Sequence, residues 1–164
     1  MEQGDVARAA SFDCDEPVLS EWIKKHAWSS HAGNSARVYV CLNPSGTGVA
    51  AYYSLSSGAA LRTEAPGRIG KGMPVQIPIQ LIGRLGVDRR FKGQHVGTDL
   101  VLDALNKILA ISKMTAVRAV MVRSKPGSID FYKKLQFEQS SSDPELFFFM
   151  VKDIRAAFDG AGIS

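Results

Sequence analysis

The residues with the clearest chemical potential lie in segment 83–98, which runs from an apolar stretch into a helical pattern. The first amides of a helix have no internal acceptor and the helix dipole adds positive charge there, so these amides can bind a phosphate group. Gly93 and Gly97 allow the backbone to approach such an anion closely, and three basic side chains add charge. The spacing predicts an anion-binding loop. The alternative interpretation is a glycine-containing loop with solvated basic residues.

The elements around this loop predict a mixed α/β fold with helices on both faces of a sheet. Apolar residues recur at helical spacing from Leu100 to Leu109, directly after the loop. The strand–helix–strand over 77–122 should form a right-handed parallel crossover. The other predicted segments are a loose lead-in over 1–11, a helix capped by Asp15 that ends near residue 27, strands over 37–42 and 49–56 joined by a turn, a long loop or broken helix over 58–76, strands over 77–87, 116–122 and 146–151, a short helix over 128–135, and a loose tail over 159–164.

Composition indicates an ordinary globular chain. Its 164 residues, with 45% hydrophobic and 22% charged, predict a single domain over 1–164. Cys14 and Cys41 are too few for a disulfide framework, and no spacing typical of a metal site is present. The beginning of the sequence lacks a signal-peptide pattern and no stretch has the length of a membrane span, so we expect a cytoplasmic protein without a membrane partner. The net charge of +4 permits a polyanionic partner without requiring one.

Segment 83–98 resembles motif A of the GNAT superfamily of N-acetyltransferases, Q/R-x-x-G-x-G/A. Lys92 stands where Gln or Arg is usual, Gly97 matches the last glycine, and His95 occupies the position of the middle glycine. If this position requires a positive φ, histidine is uncommon but tolerated there, at a cost of roughly 1–2 kcal/mol. The resemblance implies acetyl-CoA as cofactor. It also implies a GNAT-like, mostly antiparallel twisted sheet in which a central parallel strand pair forms the acetyl-CoA slot.

Segment 129–137 resembles motif B of the same superfamily, F-Y-x-x-x-G-F, with Gln136 in place of the glycine. Viewed alone, Tyr132 could be an amphipathic core residue. By resemblance it lies beside the CoA sulfur as catalytic general acid, and a neutral phenol can donate to a departing thiolate at pH 7. The strand amides of 85–87 would hold the acetyl group or the pantetheine. The cofactor-binding residues implied by the two motifs are Leu85, Gly86, Val87, Arg89, Arg90, Lys92, Gly93, Gln94, His95, Val96, Gly97, Thr98, Asp130, Phe131 and Lys133.

No carboxylate is marked by the sequence as the base that would deprotonate the acceptor amine. Asp88 and Glu64 remain only by elimination, and solvated side chains are the simpler interpretation of both. A lysine amine titrates near 10.4 and needs such help, whereas an α-amine near 7.7–8.0 is already partly neutral. The missing base therefore favours an α-amine acceptor.

Residues 11–151 resemble a narrower group, the TacT-type GNAT toxins of bacterial toxin–antitoxin pairs. The matching strings are Phe12-Asp13-Cys14, Ala51-Tyr52-Tyr53-Ser54-Leu55-Ser56 and Leu81-Ile82-Gly83-Arg84-Leu85-Gly86-Val87-Asp88. This resemblance implies acetylation of the α-amine of aminoacyl-tRNA, inhibition of translation, a homodimer, and a ribbon-helix-helix antitoxin as partner. DNA would be contacted only indirectly, through the antitoxin.

The positive charge of the chain agrees with a tRNA substrate. Two alternatives stay open: a GNAT enzyme that acetylates a small amine or a protein N-terminus, and a catalytically weakened CoA-binding partner of a DNA-binding antitoxin. Arg84 is the strongest candidate for tRNA contact, because it lies on an apolar strand where an unpaired charge is costly. The full candidate set for tRNA is Arg84, Lys24, Lys25, Arg37, Arg62, Arg68 and Lys71.

Overall fold

The computed structural model describes residues 1–160, and the chain divides into two compact units. Unit 1 comprises Met1–Ser56 and Gly83–Ala104, and unit 2 comprises Ser57–Ile82 and the chain from Leu105 onward. Within residues 1–160, no helix is long and apolar enough to cross a membrane. The single domain over 1–164 stays a prediction. Of the tail predicted as loose over 159–164, residues 159 and 160 belong to a helix, which corrects that part of the prediction, and residues 161–164 lie outside the described part of the chain.

Six strands form a mixed sheet, as predicted. The pairs β1–β2, β4–β6 and β5–β6 are antiparallel, whereas β3 and β4 are parallel, with Ile79 opposite Ala119. The parallel pair is the one predicted on either side of the helix that follows the loop. The strands are β1 (Arg37–Leu42), β2 (Val49–Leu61), β3 (Gln76–Val87), β4 (Ala119–Arg123), β5 (Glu138–Gln139) and β6 (Leu146–Met150), in the spatial order β1-β2-β3-β4-β6-β5.

Seven helices accompany these strands over residues 1–160. Helix α5 begins directly after the predicted anion-binding loop and therefore confirms the helical pattern read from the sequence. The helices α3 and α7 are not predicted by the sequence analysis. The helices are α1 (Asp5–Arg8), α2 (Pro17–Lys25), α3 (Ala27–Ala32), α4 (Gly67–Gly70), α5 (Val96–Ile111), α6 (Ile129–Lys134) and α7 (Val151–Gly160).

The N-terminal segment corrects the prediction of a loose lead-in over 1–11. This segment contains α1, and the Met1 amine donates a hydrogen bond to the Val38 carbonyl over 2.9 Å. Asp5 is buried and accepts a hydrogen bond from Arg8 over 3.0 Å. The segment is ordered because its polar groups are satisfied locally while Ala9 enters the core.

The start of α2 corrects the role predicted for Asp15. Glu16, not Asp15, is the residue before the helix, Pro17 is its first residue, and no side chain caps it. Asp15 has a left-handed backbone with φ of 64°. Its carboxylate is instead engaged by a basic side chain of the predicted anion-binding loop.

Aromatic rings in the core of unit 1 pack against β3. Tyr52 contacts Phe12 edge-on at 5.4 Å between ring centroids and stacks on Trp22 at 5.9 Å. A Cβ placed on Gly86 would lie 3.0 Å from Tyr52 Cε1 and 3.4 Å from Phe12 Cζ. Glycine in this strand therefore marks a close approach of a side chain to the backbone, and Gly86 gives Tyr52 the space it occupies.

Unit 2 shows that the region predicted as a long loop or broken helix over 58–76 is shorter than expected. Strand β2 continues to Leu61, α4 forms a single short helical segment, and β3 begins at Gln76. The sequence analysis predicts this strand only to residue 56, because small residues replace the usual branched ones near its end. The core of this unit includes Ile69 from α4 and Phe148 from β6.

Candidate active site

The predicted anion-binding loop turns sharply before it enters helix α5. A 3₁₀ turn over Arg89–Phe91 is followed by Gly93 at φ 75° and His95 at φ 62°, and α5 then begins at Val96. The His95 carbonyl accepts a hydrogen bond from the Asp99 amide over 3.1 Å. The amides of residues 96–98 precede this bond and lack an acceptor inside the helix. We call these three amides the amide cradle, because free amides at the start of a helix, together with the helix dipole, can bind a phosphate group.

The three basic residues of the predicted loop are Arg89, Arg90 and Lys92. Arg90 forms an ion pair with Asp88. Its Nε donates to Asp88 Oδ1 over 2.8 Å and its Nη2 donates to Oδ2 over 2.9 Å. Asp88 also accepts from the amides of Arg90 and Asp13, and it is fully buried. The interpretation of Asp88 as a solvated side chain is therefore wrong, because these donors replace the water that burial removes.

The same donors make Asp88 unsuitable as a general base. Burial alone raises the pKa of this carboxyl, but the Arg90 side chain and the amides of Arg90 and Asp13 outweigh it and lower the pKa to about 2. A carboxylate with so low a pKa and with both oxygens occupied holds a proton poorly. The other carboxylate, Glu64, lies in unit 2 and accepts a hydrogen bond from the Leu61 amide over 2.9 Å.

The other two loop cations are also paired with acidic residues. Arg89 lies 3.6 Å from Asp13, and Lys92 Nζ donates to Asp15 Oδ2 over 2.7 Å and to the Cys14 carbonyl over 2.8 Å. The sequence offers no signal for these pairs, since the partners are about 75 positions apart in the chain. The side-chain charge of the loop is thus balanced within unit 1. The amides of the amide cradle, unlike these side chains, have no acidic partner among residues 1–160.

Strand β3 supplies the residues predicted to lie along the acyl group. Leu85 and Val87 are half-buried, Gly86 is covered by aromatic rings, and the strand ends at Val87. Arg84 is also half-buried, and its Cζ lies 4.2 Å from the centroid of the Trp22 ring. Trp22 lies on α2 and is not among the site residues predicted from the sequence.

The three buried tyrosines of residues 1–160 differ in whether their hydroxyl groups form a hydrogen bond. Tyr52 donates its hydroxyl to the Leu19 carbonyl over 2.8 Å, and Tyr53 donates to Asp103 over 2.5 Å. No residue within 1–160 forms a hydrogen bond with the Tyr132 hydroxyl, although its side chain is 5% exposed. Burial raises the pKa of Tyr132 to about 12, so the phenol keeps its proton at neutral pH.

Aromatic packing within unit 2 fixes the ring of Tyr132. Phe131 and Phe137 meet it edge-on, with ring centroids 5.0 and 5.6 Å away, and Phe147 lies at 6.0 Å. This cluster shows that the two interpretations of Tyr132 are compatible, because the ring belongs to the core while the hydroxyl has no partner. Gln136, which replaces the motif glycine, has φ of 65°.

The remaining residues predicted for the cofactor lie on exposed or half-exposed positions. Within unit 1, Gln94 is exposed and Thr98 is half-buried. Within unit 2, Asp130 and Lys133 are exposed on α6. The structure therefore places them where a ligand can reach them, each within its own unit.

The tRNA candidates of unit 1 differ in whether their side chains already have polar partners. Lys25 pairs with Glu21 over 2.5 Å, and Arg37 donates to Asn34 Oδ1 over 2.7 Å. Lys24 is half-buried in the last turn of α2. Among these residues, the two exposed cations already have polar partners.

The tRNA candidates of unit 2 are similarly divided. Arg62 donates to the Met73 carbonyl over 3.0 Å, and Lys71 is exposed. Arg68 is paired with Glu138 and, over 2.5 Å, with Asp153. Two carboxylates neutralise this guanidinium and assign it a structural role within the unit, so it is the weakest of the predicted contacts.

Similarity to known proteins extends over almost the whole chain, although no family model matches it. The chain is 31% identical over 153 residues to a protein of Mycobacterium tuberculosis named tRNA-acetylating toxin, covering 93% of this chain and 91% of that protein. It is 26% identical over 157 residues to a probable toxin TacT of Sinorhizobium fredii, covering 90% and 87%.

Solved structures agree with these relatives. A tyrosine-to-phenylalanine mutant of KacT has a TM-score of 0.87 at 26% identity, with 93% of both chains covered. AtaT complexed with acetyl-methionyl-tRNAfMet has a TM-score of 0.83 at 28% identity, covering 92% of this chain and 91% of AtaT. A tyrosine-to-phenylalanine mutant of AtaT, bound to the C-terminus of the antitoxin AtaR and to acetyl-CoA, has a TM-score of 0.76 at 26% identity, covering 92% of this chain and 90% of that chain. The predicted fold class is confirmed by this agreement.

Proposed function

The chain belongs to the tRNA-acetylating toxins, N-acetyltransferases of the GNAT type, and we propose that it transfers the acetyl group of acetyl-CoA to the α-amine of an aminoacyl-tRNA. The observation that carries this proposal is the 31% identity to a tRNA-acetylating toxin over 93% of the chain. The AtaT structure with acetyl-methionyl-tRNAfMet supports the same acceptor. Acetylation blocks the amine that forms the next peptide bond, which makes the enzyme an inhibitor of translation.

The amide cradle at the start of α5 binds the pyrophosphate of acetyl-CoA in this proposal. Gly93 and His95 have the positive φ values that turn the loop toward the helix, and the amides of residues 96–98 point outward from its first turn. The loop cations contribute less than their number suggests, because each is paired with an acidic residue. The backbone amides of 85–87 on β3 hold the acetyl carbonyl and polarise it.

Tyr132 stabilises the leaving group. Acetyl-CoA supplies a thioester whose carbonyl accepts the amine and whose sulfur leaves as a thiolate. Tyr132 keeps its proton because burial raises its pKa to about 12, whereas a thiol titrates near 8.5. Complete proton transfer from this phenol is therefore uphill, on the order of 5 kcal/mol. We expect Tyr132 to donate a hydrogen bond that strengthens as the C–S bond breaks, while the proton that finally neutralises the thiolate comes from the amine through water.

The acceptor fits a site without a strong base. Asp88 is buried with both oxygens occupied and its pKa is lowered to about 2, so it does not deprotonate an ammonium group. An α-amine with a pKa near 7.7–8.0 is partly neutral at pH 7 and can attack without such help. A lysine amine near 10.4 would be almost fully protonated. The chemistry of the site thus favours aminoacyl-tRNA over a protein lysine.

The proposal includes partners as well as a substrate. AtaT is seen with the C-terminus of its antitoxin AtaR, and KacTA is seen in a complex with DNA. We propose that this chain forms a homodimer, is neutralised by an antitoxin of the ribbon-helix-helix type, and contacts DNA only through that antitoxin. Of the tRNA candidates, Arg84 has an unoccupied guanidinium, and Lys24 lies on the neighbouring helix α2.

An acetyl-transfer assay tests the proposal. It combines the whole chain with radiolabelled acetyl-CoA and charged tRNA. Label should appear on the aminoacyl group, and mass spectrometry after hydrolysis of the ester should identify an N-acetyl amino acid. Tyr132→Phe should lower kcat by about 100-fold, the scale of a lost acid in proton-transfer catalysis. Tyr39→Phe is the matched control, because this half-buried tyrosine stacks on Tyr53 and has no place in the proposed chemistry.

Other outcomes point to other functions. Label on a polyamine or on a peptide N-terminus, with none on charged tRNA, would replace tRNA by a small amine or a protein as substrate. Binding of acetyl-CoA with no transfer to any of these acceptors would identify a weakened enzyme that acts with a DNA-binding antitoxin. A Tyr132→Phe variant with unchanged kcat would remove Tyr132 from the mechanism.

A further inference from the structure

Arg84 is the one arginine of unit 1 whose guanidinium has no hydrogen-bond or ion-pair partner among residues 1–160. Its guanidinium instead lies over an aromatic ring, with Cζ 4.2 Å from the centroid of Trp22. The other arginines of unit 1 all have polar partners within the unit, namely Arg8 with Asp5, Arg37 with Asn34, Arg89 with Asp13 and Arg90 with Asp88.

Trp22 is a fixed platform for this guanidinium. The indole is 8% exposed and stacks on Tyr52, with 5.9 Å between ring centroids and 18° between ring planes. Tyr52 is itself fully buried and donates its hydroxyl to the Leu19 carbonyl over 2.8 Å. Tyr52 packs against Trp22 and is itself fixed by its hydrogen bond, so the indole under Arg84 has little freedom to move.

A guanidinium that lies over an indole keeps its donors available. A cation–π contact uses no N–H···O bond, so the five N–H donors along the edge of the planar guanidinium stay available. That edge matches two oxygens of a phosphate or carboxylate, and arginine is favoured over lysine for such two-point contacts. Because no carboxylate of residues 1–160 forms an ion pair with Arg84, its free edge is complementary to an anionic ligand.

The position of Arg84 along β3 separates it from the pyrophosphate of acetyl-CoA. Strand residues rise about 3.3 Å each, so Arg84 lies about 10 Å before Val87, where the strand ends and the loop with the amide cradle begins. Side chains alternate along a strand, and Gly86 lies against Tyr52 while Arg84 lies against Trp22. Arg84 therefore lies on the same face of β3 as Gly86, against α2.

We propose that Trp22 is the positioning residue for Arg84, and that the Arg84 edge so held binds a phosphodiester at the acceptor end of the tRNA. This inference rests on the proposed function and adds to it the residue that orients the contact. Trp22 touches no substrate. It sets the plane and the height of the guanidinium, and the phosphodiester is bound by Arg84.

Steady-state kinetics with each substrate varied in turn test the inference. Arg84→Ala should raise KM for aminoacyl-tRNA by about tenfold or more, the scale of a charge-assisted contact, and leave KM for acetyl-CoA unchanged. Trp22→Leu should produce a similar rise, and Trp22→Phe a smaller one, because a benzene ring still offers a face to the cation. Trp28→Phe and Arg155→Ala are the matched controls, since Trp28 stacks on His31 and Arg155 lies exposed on α7.

The double variant separates positioning from general packing. If Trp22 acts only through Arg84, Trp22→Phe combined with Arg84→Ala should have the same KM for aminoacyl-tRNA as Arg84→Ala alone. Effects that multiply would overturn the positioning role. A KM increase for acetyl-CoA, with that for tRNA unchanged, would instead assign the Arg84 edge to a CoA phosphate and would also overturn the inference.

A binding measurement keeps this test distinct from that of the proposed function. The logarithm of Kd for uncharged tRNA should increase linearly with the logarithm of salt concentration. Arg84→Ala should reduce the slope of this line by about 1. A wild-type chain that binds tRNA with this behaviour but transfers no acetyl group would refute the proposed function alone. A slope that Arg84→Ala leaves unchanged would refute the inference even if acetylation is observed. Should Trp22→Leu fail to fold, Trp22→Phe and this slope decide the outcome.

Discussion

His95 and Gln136 share a left-handed backbone conformation, with φ of 62° and 65°. Both stand where the resembled motifs have a glycine, the residue that adopts this conformation without a steric penalty. The two departures from the motifs therefore change the side chain but keep the direction of the backbone. A non-glycine residue pays for this conformation with roughly 1–2 kcal/mol of strain, which the surrounding structure offsets.

Substitutions at position 95 test whether its backbone is what matters. His95→Gly should leave the acetyl-CoA Kd unchanged and the free energy of unfolding within about 1 kcal/mol, because relief of strain is offset by the greater freedom of glycine in the unfolded chain. His95→Val should weaken acetyl-CoA binding and lower stability by about 1–3 kcal/mol, since a branched side chain resists positive φ. Calorimetric titration and urea denaturation give both quantities. Loss of binding in His95→Gly would show that the imidazole itself contributes.

Gly86→Ala should destabilise the chain by about 1–3 kcal/mol. The added methyl group would lie 3.0 Å from Tyr52 Cε1, and the Tyr52 ring cannot move away without losing its hydrogen bond to Leu19. Gly67→Ala is the control, because a Cβ there meets nothing within 4 Å. Urea denaturation of both variants measures the difference. Equal stabilities would mean that the aromatic core of unit 1 adapts to the methyl group.

Asp88 should make the stability of the chain depend on pH in the acidic range. Its pKa in the folded chain is lowered to about 2, below the value near 3.9 of an unfolded aspartate. The ionised carboxylate therefore stabilises the folded chain above about pH 4, and this contribution disappears as the pH falls towards 2. Asp88→Asn should be less stable than the natural chain at pH 6, with a difference that shrinks at pH 3. Asp159→Asn, at an exposed position, provides the comparison, and a difference that stays constant with pH would contradict this role.

The pH dependence of kcat/KM for aminoacyl-tRNA should have a single ascending limb. Activity should rise through about pH 7–8 as the α-amine loses its proton, and then stay level to pH 9.5. Tyr132 does not end this plateau, because burial raises its pKa to about 12 and its hydroxyl stays protonated. Initial rates over short times avoid hydrolysis of the aminoacyl ester. A descending limb near pH 9 would assign the proton donor to another group or would show that Tyr132 titrates as an ordinary phenol.

Local pattern was enough to predict much of the fold. The strand over 77–87 corresponds to β3, the helical spacing after the loop corresponds to α5, and the parallel strand pair is observed. The strand at 116–122 is displaced, since β4 spans Ala119–Arg123. The α7 helix was not predicted, although Val151 and Ile154 bury one helical face, because the apolar run before it suggested a strand that ends in a loose tail.

The sequence by itself determined where the loop before α5 lies and predicts that it binds an anion, because glycines, basic residues and a helix start lie within a few positions of one another. Only the tertiary structure decided how the charges of that loop are used. Asp13 and Asp15 come from a segment about 75 positions away and neutralise Arg89 and Lys92, and no local pattern can report such a pairing. The same holds for Arg84, whose guanidinium depends on an indole 62 positions earlier in the chain. The sequence shows which residues have reactive or charged side chains. Long-range packing determines which of these side chains have a partner and which remain free to bind a ligand.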